Sequence, residues 1–111
     1  MRKNLAIMFG QALLVCVFVW ASAGPARAQS DVEKLYKGKC GTCHGPDGKG
    51  SAMGLKLGVR DFQSPEVQKK TDAQLTEIIT KGTKKMAGYD KKIPADQIKE
   101  LASYCRDLGK K

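Results

Sequence analysis

An all-α single domain of three to four short helices is predicted by three features of this 111-residue chain. Its apolar residues recur at spacings of three and four, no stretch alternates in the manner of a strand, and helix caps and stops separate the periodic segments. The length allows one domain at most, which excludes large enzymes, multidomain receptors and polytopic membrane proteins.

The first segment stands apart from that domain. Met1-Arg2-Lys3-Asn4 is a short basic start, and Leu5 to Ala23 is apolar except for Gln11 and Ser22. Gly24-Pro25 then breaks the run, and Ala26-Arg27-Ala28 offers small residues where a signal peptidase reads. Residues 1–28 are thus expected to be a cleaved secretory signal peptide, leaving residues 29–111 as the mature domain with no integral membrane span. An uncleaved anchor is the alternative, since the apolar stretch approaches spanning length. Val15, ahead of Cys16, is too large for a lipoprotein signal. The bases precede the apolar run, which puts the mature chain on the outer side of the membrane, in the periplasm.

Within the mature chain the elements follow in order. Asp31 to about Thr42 reads as a helix with Val32, Leu35, Tyr36 and Cys40 on one face. Gly45 to Phe62 reads as a loop, punctuated by Pro46, Asp47-Gly48 and Gly50. Ser64-Pro65-Glu66 is an N-cap followed by proline at the first helical position. Thr71-Asp72-Ala73-Gln74 is a capping box, opening a helix that ends near Lys81 with Gly82 as its stop and Leu75, Ile78 and Ile79 facing inward. A second loop, Gly82 to Lys92, contains Met86. The last helix runs from Pro94 to about Leu108, with Ile98, Leu101, Ala102, Cys105 and Leu108 on one stripe.

Such a core is too small to stand alone. The mature aromatics are only Tyr36, Phe62, Tyr89 and Tyr104, and Gly45 to Gly58 carries almost nothing to bury. Chains of this size need a staple. After cleavage only Cys40, Cys43 and Cys105 remain, an odd number that suits a disulfide scaffold poorly.

The staple is expected at Cys40-Gly41-Thr42-Cys43-His44. On a helix, positions i, i+3 and i+4 share one face, so both thiols and the imidazole can address one flat object. Two thiols at this spacing can bond the two vinyl groups of a haem while the histidine reaches its iron. A redox dithiol of the thioredoxin kind would need a βαβ pattern that is missing here. Zinc could draw on three cysteines and His44, but Cys43 and His44 are neighbours and Cys105 would have to leave its stripe. A structural disulfide would leave the core unsupported.

On these residues the mature chain resembles a small monohaem c-type cytochrome over essentially its whole length. Cys40 to Gly45 is similar to the haem-attachment site, Pro46-Asp47-Gly48-Lys49-Gly50 to the glycine-rich loop that often follows, and Lys85-Met86-Ala87-Gly88-Tyr89 to the loop bearing the sixth ligand. Ile98 to Leu108 resembles the terminal helix that crosses the first. The resemblance implies a cytochrome c-like fold, one haem c bound covalently through Cys40 and Cys43, His44 and Met86 as axial ligands, and one-electron transfer. Ala87 follows the methionine where relatives commonly have proline, which predicts a less rigid loop. Val32 stands where the first helix often carries a very small residue, which predicts a wider crossing. No proline lies between Pro46 and Pro65 to supply the carbonyl that usually holds the proximal imidazole.

The mature chain has no second histidine, so only Met53 and Met86 offer a thioether. Met53 lies nine residues from His44 and would have to wrap the haem edge, whereas Met86 lies beyond two helices with ample chain. A six-coordinate iron has no place for substrate, so a carrier is expected rather than an enzyme. The rivals are a cytochrome subunit permanently docked on a dehydrogenase or oxidase, and a haem-based ligand sensor should Met86 not bind.

Charge completes the reading. Lys and Arg number 20 against 11 Asp and Glu, for a net charge of +9. Lys81, Lys84, Lys85, Lys91 and Lys92 surround the Met86 loop, and Lys37, Lys39 and Lys49 flank the attachment motif. The expected partners are acidic redox proteins that donate and accept electrons, meeting a monomer. Export and the scarcity of arginine and exposed aromatics speak against nucleic acid. Cys105 is expected to be a packing residue, and Tyr36 and Tyr104 the aromatic contacts of the helix crossing.

Overall fold

A computed structural model describes residues 25–111, so most of the expected signal peptide, residues 1–24, lies outside the described residues. The described residues form six helices and no strand: α1 (Pro25–Lys39), α2 (Gly41–His44), α3 (Ala52–Lys56), α4 (Pro65–Gln68), α5 (Asp72–Lys81) and α6 (Ala95–Leu108). The expected all-α class holds, with more and shorter helices than the three to four predicted.

The local signals worked where they were complete. Ser64 caps α4 by accepting from the Val67 amide, with Pro65 behind it. Thr71 and Gln74 make both bonds of the capping box on α5, and Gly82 ends that helix at φ 75°. The α6 stripe buries Ile98, Leu101, Ala102 and Leu108. On α5, Leu75 and Ile79 are buried, but Ile78 is only half-buried because two inward residues a turn apart already fill the contact with α6.

Two boundaries need correction. The first helix does not run to Thr42: α1 ends at Lys39, and Cys40, at φ −117°, begins the separate turn of α2. Gly38 and Gly41 on either side lower helical propensity, so the chain can bend there. α1 also begins at Pro25, so the expected cleavage after Ala28 falls within it. The stretch Gly45–Phe62 is not all loop, because it contains α3. Ser51 caps that helix, accepting from the Gly54 amide at 3.0 Å, while its hydroxyl donates to the Thr42 carbonyl at 2.6 Å.

The core lies where α6 packs against both α1 and α5. Tyr36 and Leu101 are fully buried in it, and Tyr36 meets Tyr104 at 5.1 Å between ring centroids, the aromatic contact expected at the crossing. Val32 is buried on the α1 side and Ala102 on the α6 side, so the small residue of this crossing belongs to the last helix. A cleft of about 660 Å³, lined by Val32, Leu35, Asp96 and Glu100 among others, opens between α1 and α6.

Arg106 ties α6 to the junction between α4 and α5. Its guanidinium donates to Asp72 at 2.7 Å, to the Gln68 carbonyl at 3.1 Å and to the Lys70 carbonyl. The Arg106 side chain is only 18% exposed, so its bonds to the two carbonyls are part-buried, while the Asp72 carboxylate at the other end of the pair is 74% exposed. Arg106→Met keeps the apolar stem but strands two carbonyls, and should cost about 2 kcal/mol, the scale of a charged hydrogen bond. A lower denaturation midpoint at unchanged slope is the expected result. An unchanged midpoint would mean that water replaces the guanidinium without loss.

Candidate haem site

The structure brings Cys40, Cys43 and His44 together on one helical turn. The Cys43 and His44 amides both donate to the Cys40 carbonyl, at 3.2 and 2.9 Å. This is the one-face arrangement expected from their spacing. Among the described residues Cys40, Cys43 and Cys105 are free and half-buried, and Cys40 packs against the core. Burial pushes the Cys40 thiol up to about 11 and the Cys105 thiol up to about 12. A Cys40 thiol held neutral in this way is a poor nucleophile for disulfide exchange, which weighs against the thioredoxin reading. Among the described residues no group of three or more His, Cys, Asp or Glu could hold a metal ion, so the zinc set is not assembled. Cys105 lies against the core as a packing residue.

Burial also holds the His44 imidazole below its usual range, which favours the neutral form that binds metal. Its Nδ1 is buried without a hydrogen-bond partner. Phe62 covers the ring with centroids 4.9 Å apart at 30°. The Phe62 ring in turn occupies the space where a Cβ on Gly48 would stand, and Gly48 has φ 74°, so glycine is required there twice over.

α3 lies directly against the attachment turn: a Cβ on Gly54 would collide with the Cys43 carbonyl, so only glycine allows this approach. The helix leaves Met53, Leu55 and Leu57 exposed at 49%, 59% and 43%. Two unpaired thiols, a neutral imidazole and open apolar side chains beside them suit a haem. His44 would hold its iron, Cys40 and Cys43 its periphery, and the group would supply a one-electron couple.

Met86 sits in the α5–α6 connection, half-buried against the same core as Cys40. Its loop is firmly tied despite Ala87. The Thr83 amide donates to the Met86 carbonyl at 2.8 Å, and the Met86 amide to the Thr83 hydroxyl at 3.2 Å. Tyr89 and Asp90 amides return to Ile79 and Thr80 carbonyls at 3.0 and 3.2 Å, passing so close that Gly82 and Gly88 leave no room for a Cβ. The Tyr89 hydroxyl donates to the Lys39 carbonyl at 3.0 Å, linking this loop to the residue before Cys40.

The lysines expected at a docking surface are exposed. Lys37 pairs with Glu33 at 2.7 Å and Lys81 with Glu77 at 2.8 Å, while Lys92 lies 5.7 Å from the Tyr89 ring centroid. Sequence reasoning missed the bracing of His44 by Phe62 and the role of Ser51. The second had a readable signal, a serine three residues before Gly54 at a helix start.

The fold and this turn together define a c-type cytochrome. Among solved structures, the KustC0563 c-type cytochrome is 36% identical over 68% of this chain and 94% of its own, with a TM-score of 0.64. A tyrosine-to-phenylalanine mutant of Kustc0563 is 35% identical over 70% of this chain and 98% of its own, with a TM-score of 0.65. The search of curated proteins gives no match. Residues 27–105 match the model of the family described as cytochrome c oxidase, cbb3-type, subunit III. The chain belongs to that family of haem-based electron-transfer proteins, with the cytochrome c-like fold expected from its sequence.

Proposed function

We propose that the chain is a periplasmic one-electron carrier with a single covalent haem c, exported by a signal peptide cleaved after Ala28. The observation that carries this reading is the turn at Cys40–His44, where two free thiols and a neutral imidazole share one face. Cys40 and Cys43 form the thioethers and His44 is the proximal ligand. Met86 is the distal ligand, supported by its tied loop and its place against the same core as Cys40. Met53 is a weaker choice, since it lies on the helix packed against the turn that carries His44. Among the described residues no helix is long and apolar enough to cross a membrane.

The partners proposed are acidic redox proteins that approach the lysines around Met86, and the carrier is a monomer. Lys84, Lys85, Lys91 and Lys92 are exposed beside the ligand loop, where a partner must come to exchange an electron. Steering by such charges accelerates encounter while letting a small interface separate quickly. Changing the four to glutamate should slow electron transfer with the physiological partner and flatten its ionic-strength dependence, with little movement in potential or melting temperature. Stopped-flow rates across a salt series, spanning the point where the Debye length is about 8 Å, provide the check. Unchanged rates at low salt would reduce these lysines to a solvated face.

A second reading is favoured by the family's description as an oxidase subunit: the chain could be the docked electron port of a larger enzyme. Gentle extraction of native membrane and periplasm separates the two. A carrier elutes alone, and a subunit elutes with its enzyme.

A further inference from the structure

Tyr36 is the most completely enclosed polar side chain near the attachment turn. It is fully buried, and its hydroxyl donates to the Gly45 carbonyl at 2.6 Å. Gly45 directly follows His44 and is itself buried. Among the described residues the only other donor to that carbonyl is the Gly48 amide, at a longer 3.3 Å. The ring of Tyr36 also meets Phe62 edge-on at 6.5 Å, and Phe62 covers the His44 imidazole. One side chain thus reaches the proximal residue by two routes, through the peptide after it and through the ring against it.

We infer that Tyr36 is a positioning residue that raises the reduction potential, by neutralising the Gly45 carbonyl and bracing Phe62 against His44. The inference rests on the haem reading given above and deepens it. Burial pushes the phenol up from its ordinary value, so it remains a protonated donor throughout the physiological range. A carbonyl oxygen carries negative charge, and in a buried setting one left with only the longer Gly48 bond acts more strongly on its neighbours than one that also accepts from a phenol. With the hydroxyl in place, part of that charge is offset beside His44. Without it, the negative potential beside the ligand grows and favours the more positive, ferric state of a bound iron. That preference lowers the potential.

The test is Tyr36→Phe in the full holoprotein, which keeps the ring and removes only the hydroxyl. Haem content per chain is measured first, in the unmodified protein. Lack of bound haem there would defeat the earlier reading rather than this one. With haem in place, spectroelectrochemistry should show the equilibrium shifted toward ferric by about three- to tenfold, tenfold being 59 mV for a one-electron couple. Tyr104→Phe removes a hydroxyl from the ring stacked on Tyr36 and should leave the potential where it was. A potential that is unchanged or higher in Tyr36→Phe, even with lower stability, would leave Tyr36 a packing residue and overturn the proposal. An equal fall in Tyr104→Phe would do the same. Should Tyr36→Phe yield no folded holoprotein, proton NMR of the unmodified ferrous protein decides. The proposal requires a slowly exchanging Tyr36 hydroxyl proton close to Gly45, and rapid exchange with solvent contradicts it.

Discussion

Replacing both Cys40 and Cys43 with alanine should leave little or no folded holoprotein, the largest effect expected of any change to this chain. Among the described residues eleven buried hydrophobic side chains form a small core. Cores of this size rarely supply more than about 3–5 kcal/mol. The attachment turn contributes almost nothing to that core, since no residue of α2 is buried and α3 buries only Gly54. Met53, Leu55 and Leu57 remain exposed beside it, so this part of the fold depends on what the two thiols hold. Either single alanine variant keeps one thioether and should fold with reduced yield. Haem staining with far-ultraviolet circular dichroism distinguishes the outcomes. A cooperative, well-folded double variant without haem would show that the polypeptide core is sufficient.

Met86→Ala is the second large change. Soft sulfur favours ferrous iron, so loss of the thioether should lower the reduction potential by an appreciable part of the roughly 0.8 V range that axial ligands span. The weak far-red absorption of a methionine–ferric bond should vanish, and the reduced protein should begin to bind carbon monoxide. Stability should fall less, because Thr83, Tyr89 and Asp90 tie the loop through backbone bonds that do not involve the Met86 side chain. If the far-red band survives in Met86→Ala and disappears in Met53→Ala, the distal ligand is Met53. The loop around Met86 would then be only a packing element.

The sequence was most legible where one short segment holds all the information. Thr71 with Gln74, and Ser64 with Pro65, announce their helices because each cap is complete within four residues. Cys40, Cys43 and His44 were legible as a site for the same reason: five consecutive residues put them on one turn. α3 was missed because a glycine-rich stretch reads as loop, and its helix depends on packing Gly54 against the Cys43 carbonyl. Propensity cannot report such a contact. The break at Cys40 belongs to the same class, a small departure in φ set by flanking glycines within a periodic pattern.

Longer-range features left no pattern to read. Arg106 reaches Asp72 and two carbonyls more than thirty residues away, and a lone arginine on a polar helix face looks like ordinary solvent-facing charge. Phe62 against His44 joins residues from different turns, brought together by the Phe62 amide bonding the Gly48 carbonyl at 3.0 Å. Tyr36 was recognised as a contact of the helix crossing, which its packing on Tyr104 bears out. Its bond to Gly45 was not foreseen, since nothing in the spacing says where a hydroxyl will point.

The central claim is that this chain carries one haem bonded to Cys40 and Cys43. Intact mass of the denatured protein after acid extraction tests it most directly, followed by peptide mapping of the modified segment. The mass is expected to exceed that of the polypeptide by one haem, with the addition confined to the peptide containing Cys40 and Cys43. Polypeptide mass alone, with the haem recovered in the extract, would contradict it.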